Sequence, residues 1–160
     1  MSRTNFPLLL AALLLAGCSS LKNLASLIPF VGPSKARVDQ VRVVAMPGAN
    51  GDLPTRVDLV FVYDAEFSAP LPRTAADWFA QKDALLGAWP GKLEAQSLQL
   101  PPGSAADPAP LPARHAKAFR VLAYADTQAA AGQPAWELTP YERPLLTIEA
   151  GGVRVADAPR

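Results

Sequence analysis

The chain of 160 residues holds one cysteine, one histidine and almost no net charge, and each scarcity removes a class of function. A lone cysteine, Cys18, has no intrachain partner, so no disulfide can staple the fold and burial alone must hold it. With one histidine besides, the sequence cannot assemble the three or four Cys and His ligands that a zinc site takes. Lysines and arginines number 15 against 14 acidic residues, and no basic run stands out. Nucleic-acid binding relies on clustered cations to neutralise phosphates, so no nucleic-acid partner is expected. Aromatic residues make up 8% of the chain. No apolar run reaches the roughly 20 residues needed to cross a bilayer as a helix. Prolines, by contrast, number 17, which argues against a helical bundle and for strands, turns and loops.

The one pronounced apolar stretch lies at the start. Arg3 precedes the run from Phe6 to Leu15, and Leu15-Ala16-Gly17-Cys18 closes it. This is the layout of a secretory signal, and its end closely resembles the bacterial lipobox. Small side chains at Ala16 and Gly17 suit a peptidase that cuts before a lipidated cysteine. Residues 1–17 are read as the signal peptide and Cys18 as the acylated first residue. Lipidation explains both the singleness and the place of that cysteine. Each buried methylene adds about 0.8 kcal/mol, and two or more chains hold firmly; the resemblance implies several chains, palmitate among them. Ser19 follows where an aspartate tends to retain such proteins in the inner membrane. The expected location is therefore the outer membrane, lipid-anchored and facing the periplasm.

The mature chain would have 143 residues, enough for one domain. Arg3 is the only charge in the signal, so the mature chain is formally neutral. Residues 18–36 read as a tether, with Leu21, Leu24, Leu27 and Ile28 near one helical face before Pro29 and Pro33. Residues 37–157 read as a β-domain. Val38 to Ala45 makes a first strand with Val41, Val43 and Ala45 on one face. A loop from Met46 to Thr55 follows, broken by two prolines and Asn50-Gly51. Arg56 to Asp64 is the clearest strand: Val57, Leu59, Phe61 and Tyr63 alternate with Asp58, Val60, Val62 and Asp64. The two aspartates are expected to lie where the strand ends reach water.

Thr74 then caps a helix over 75–86, with Trp78 and Phe79 as anchors on a sheet and Gly87 as its stop. Lys92 to Leu100 is a strand with a bulge near Ser97. Pro101 to Arg114 reads as a mobile Pro/Ala loop. Ala118 to Ala125 and Ala135 to Leu138 are further strands. Leu145 to Ala150 and Val153 to Ala156 form a hairpin over Gly151-Gly152. The pattern predicts a mainly β, two-sheet sandwich of about seven strands with one inserted helix.

No catalytic constellation emerges. His115 sits at the end of a polar loop, and Cys18 is taken by lipid. Asp58 and Asp64 are six residues apart on a strand, about 20 Å, too far to act as an acid–base pair. Gly48 and Gly51 lie between strands and not before a phosphate-binding helix. The expectation is a protein without enzymatic activity, cofactor, metal or small-molecule substrate.

The order of segments carries a further likeness. After the lipobox come an Asn/Gly/Pro loop, the strand Arg-Val-Asp-Leu-Val-Phe-Val-Tyr and the helix with Asp77-Trp78-Phe79. Leu100-Pro101-Pro102-Gly103, Phe119-Arg120-Val121-Leu122-Ala123-Tyr124 and the hairpin Leu-Thr-Ile-Glu-Ala-Gly-Gly-Val-Arg-Val follow. From Arg37 to Ala156 the chain resembles the outer-membrane lipoprotein of type VI secretion systems, the TssJ family. The resemblance implies a transthyretin-like sandwich. It also implies a structural role in the secretion membrane complex, through binding the periplasmic part of an inner-membrane partner of the TssM type. It places the contact on the loop between the first two strands, here at Ala49, Asn50, Gly51, Asp52 and Leu53. The long loop from Pro101 departs from the family. The alternative is a pilotin-like or other assembly lipoprotein for a different envelope complex, cradling a peptide by edge pairing.

Overall fold

Val57, Leu59 and Phe61 on one side of a strand, and Val60 and Val62 on the other, require cover on both faces, and the fold supplies two different covers. The computed structural model describes residues 33–67, 70–129 and 133–158. Cys18, the signal and Leu21 to Ile28 lie outside the described residues.

Among the described residues eight strands, β1 (Arg42–Ala45), β2 (Thr55–Val62), β3 (Leu93–Leu100), β4 (Ala105–Ala106), β5 (Arg120–Asp126), β6 (Trp136–Glu137), β7 (Pro144–Glu149) and β8 (Gly152–Asp157), accompany one α-helix, α1 (Ala75–Ala88). They form two four-stranded sheets. One is ordered β3-β2-β5-β6 and is antiparallel throughout. The other is ordered β4-β1-β7-β8, with β1 and β7 parallel. The predicted two-sheet sandwich with one helix is the observed architecture, and the described residues belong to one compact unit.

Between the sheets pack Val41, Val43, Val57, Leu59, Phe61, Val121, Ala123, Leu138, Leu146 and Ile148. Fully burying a large aliphatic or aromatic side chain contributes about 1.5–3 kcal/mol. A second apolar layer lies on the outer face of the β2 sheet, where Val60, Val62, Leu93, Leu122 and Tyr124 meet Ala75 and Trp78 of α1. The inserted helix therefore closes the far side of the sheet.

Several segments differ from the sequence expectation. The first strand starts at Arg42 and not at Val38: Val38 is buried, but Asp39 gives its N–H to the Glu142 carbonyl of a loop. The β2–β3 ladder runs in continuous register from Thr55↔Leu100 to Val62↔Leu93, so no bulge interrupts it at Ser97. Gly87 lies inside α1, which runs on to Ala88; Trp89 caps it, giving its N–H to the Leu85 carbonyl. Thr74 is the N-cap as expected, its hydroxyl accepting from the Asp77 N–H at 3.1 Å. Gly152, with φ of 137°, is the first residue of β8, and Ala150-Gly151 make the turn.

The stretch from Pro101 to Arg114 is tied down. Its Ala105 and Ala106 form β4 against Val44 and Val43. Ser104 accepts the Ala45 N–H, Ala109 donates to the Val41 carbonyl, and the Ala109 side chain is buried between the sheets. This is the eighth strand that the composition hides. The Asp107–Pro108 peptide bond that follows β4 is cis.

Candidate functional site

The loop from Met46 to Thr55 has a fixed shape, and four left-handed residues set it. Gly48, Asn50, Gly51 and Asp52 all have positive φ, between 53° and 75°. Glycine takes this region without cost, and Asn and Asp are the side chains that best tolerate it. Ala49–Asp52 close into a short 3-10 turn, with Ala49 donating to the Met46 carbonyl at 2.9 Å. At its foot Met46 donates to Ile148 of β7, also at 2.9 Å.

The five residues that the family resemblance implicates do not share one environment. Ala49 and Asn50 are buried, so they offer a partner almost no surface. Gly51, Asp52 and Leu53 are exposed. Asn50 points back into the domain: its Oδ1 accepts from the Gln128 N–H at 2.7 Å, and its Nδ2 donates to the Asp126 carbonyl at 3.4 Å. One donor and one acceptor fix the orientation of the amide. Beside this tie, Arg56 of β2 pairs with the Asp126 carboxylate through Nε at 3.0 Å.

What the loop shows to solvent is apolar at both feet. Met46 and Leu53, 43% and 47% exposed, are the exposed large hydrophobic residues among those described. Asp52 stands between them with no ion-pair partner among the described residues. Met46 was within the loop expected from sequence but outside its expected tip. It belongs to the surface because the turn folds both feet outward while the centre is drawn in.

The loop occupies one pole of the sandwich and the chain enters at the other. Loop residues lead into Thr55, the start of β2. The other end of β2, Val62, accepts the Phe119 N–H, and the neighbouring Ala118 carbonyl accepts from Ala36 at the chain's entry. Eight strand residues separate the poles, roughly 25 Å. A groove of about 420 Å³ lies at the entry pole, its lining including Pro33, Val62, Phe67, Phe119, Arg120 and Glu137.

Asp58 and Asp64 also part company. Asp64, in the turn after β2, is held below its ordinary carboxylate range by Lys92 first and by the Glu66 N–H second. Asp58 does not reach water: it lies under α1, 1% exposed, and accepts from Trp78 Nε1 at 2.8 Å and Lys82 Nζ at 3.1 Å. Trp78 stacks on Tyr124, ring centroids 4.9 Å apart, and the Tyr124 hydroxyl donates to the Pro72 carbonyl. This cluster was missed in the sequence. The signal for it was a carboxylate at the helix-facing phase of an apolar strand, with a Trp and a Lys four apart on the following helix. His115 is half-buried with Nδ1 at 3.0 Å from the Pro112 carbonyl. Among the described residues no group of three or more His, Cys, Asp and Glu could hold a metal ion.

No family model matches the sequence, and no curated protein matches it. Two type VI secretion lipoproteins of known structure are similar to it. TssJ1, the T6SS lipoprotein of Pseudomonas aeruginosa, aligns at 16% identity with a TM-score of 0.49, over 75% of this chain and 95% of that one. Lip of Serratia marcescens, a membrane-bound component of the type VI secretion system, aligns at 11% identity with a TM-score of 0.46, over 74% of this chain and 96% of that one.

Proposed function

We propose that this protein is a lipid-anchored structural component of a type VI secretion membrane complex. Cys18 holds it in the outer membrane, and the pole carrying Met46, Gly51, Asp52 and Leu53 binds the periplasmic part of an inner-membrane partner of the TssM type. Ala49 and Asn50 serve that contact from within the loop. The observation that carries this reading is the polarity of the domain. The chain enters at the Ala36 pole, while an apolar, shaped loop stands at the opposite pole. Such an arrangement suits a tie between two membranes: the anchor pulls from one end and the contact is offered at the other. The sequence resemblance supplies the name of the partner class.

The test is binding of the purified periplasmic domain of the TssM-type protein from the same bacterium. Leu53→Asp places a charge where an apolar contact is expected, and removing such a contact costs on the order of 2 kcal/mol. Binding is expected to fall at least tenfold, read by calorimetry. Wild-type affinity in both Leu53→Asp and Asp52→Lys would remove the loop from the interface.

A further inference from the structure

The partner-facing pole is wider than the loop alone, and Asn50 is the residue that makes it so. A methyl group placed on Gly51 would lie 3.9 Å from Gln128 Oε1, and one on Gly152 would lie 3.6 Å from the Ala129 side chain. The 46–54 loop, the Gln128-Ala129 segment after β5 and the β7–β8 turn therefore adjoin one another. The first holds four residues of positive φ, Gly48, Asn50, Gly51 and Asp52. Met46 ties the foot of the loop to Ile148 of β7, and the side chain that ties it to the second segment is Asn50, buried to 5% exposure and bonded to the backbone of both Asp126 and Gln128 across a sequence gap of more than seventy residues.

We propose that Asn50 is a positioning residue that latches the loop to the Gln128-Ala129 segment, so that both form one preshaped surface for the same partner. This rests on the function proposed above. The surface places Met46 and Leu53 as apolar projections around the unpaired carboxylate of Asp52, with the exposed Gln128 beside them. The Asp126 carboxylate next to it is already neutralised by Arg56. The complementary occupant is a folded protein domain offering a shallow apolar cleft rimmed by lysine or arginine. Preshaping raises affinity because the ordering of the loop is complete before the partner arrives.

The experiment uses the same TssM-type periplasmic domain and three variants. Asn50→Gly keeps the freedom for positive φ and removes the latch. Asn50→Asp keeps the oxygen that accepts from Gln128. Ala129→Arg leaves the loop untouched and burdens the second segment with bulk and a repelling charge. The latch predicts binding about tenfold weaker for Asn50→Gly, within about threefold of wild type for Asn50→Asp, and at least tenfold weaker for Ala129→Arg. Amide exchange on the wild-type complex should slow at both 46–54 and 127–129. If Leu53→Asp weakens binding while Asn50→Gly and Ala129→Arg bind as wild type, the latch is wrong and the loop reading stands. If Leu53→Asp binds normally as well, both are wrong. Protection confined to 46–54 overturns the composite surface.

Discussion

At the scale of single residues, the same chemistry has different worth in different places. The Arg56–Asp126 pair lies in the open, and removing such a pair costs about 1 kcal/mol or less. Asp58 is buried between Trp78 and Lys82. Asp58→Ala would leave the indole N–H and the lysine without their shared acceptor. A loss of about 3 kcal/mol is expected, measured by urea unfolding. A loss no larger than that of Asp126→Ala would mean that water satisfies the site. Tyr124 answers to pH. Burial pushes its phenol up to about 12 from an ordinary value of 10, and Tyr63 is pushed to about 12 by burial and by Glu94. The folded state thus holds these protons more tightly than the unfolded one. Their contribution is whole below pH 10 and is lost as pH rises towards 12. Stability should fall across that window, and Tyr124→Phe should make the fall shallower; an unchanged slope would clear Tyr124 of the effect.

At the scale of elements, β4 shows how a segment can be ordered by its neighbours alone. Pro101 to Arg114 has the composition of a free loop, and its two-residue strand has no alternation to reveal it. Its order comes from the open backbone of β1 and from the space that Ala109 fills between the sheets. Ala109→Asp would bury an unpaired carboxylate there and should cost about 3 kcal/mol or more. Ala113→Asp, in the exposed part of the same stretch, should change stability by no more than about 0.5 kcal/mol. Equal melting temperatures for the two would show the segment to be loose. The helix is the opposite case. Thr74 and Asp77 mark its start through a local bond that needs nothing distant.

At the scale of the whole molecule, the proposed work depends on having two ends. Cys18→Ser removes the only thiol available for acylation. In cell fractionation the variant should move wholly from the membrane to the soluble periplasmic fraction, with its affinity for the TssM-type domain unchanged. Persistence of the variant in the membrane would place the anchor elsewhere. Loss of affinity in solution would mean that the two poles do not act separately.

The alternation of Val57, Leu59 and Phe61 with Val60 and Val62 was enough to say that a strand is covered on both faces, because side-chain period is a local property. The cap at Thr74 and the turn at Asn50-Gly51 were legible for the same reason, and so was a hairpin near the end, although its turn is Ala150-Gly151 and not Gly151-Gly152. Nothing local says that Asn50 reaches Gln128, that Asp58 is sealed under Lys82, or that Ala105 pairs with Val44. Those partners are distant in the chain, and only packing brings them within hydrogen-bond range. Sequence by itself thus determined the long strands and the helix with its cap, whose patterns are local, but not β4, which its neighbours order. The tertiary structure alone decided which side of the Met46–Thr55 loop faces solvent, since exposure depends on what the rest of the chain places beside it.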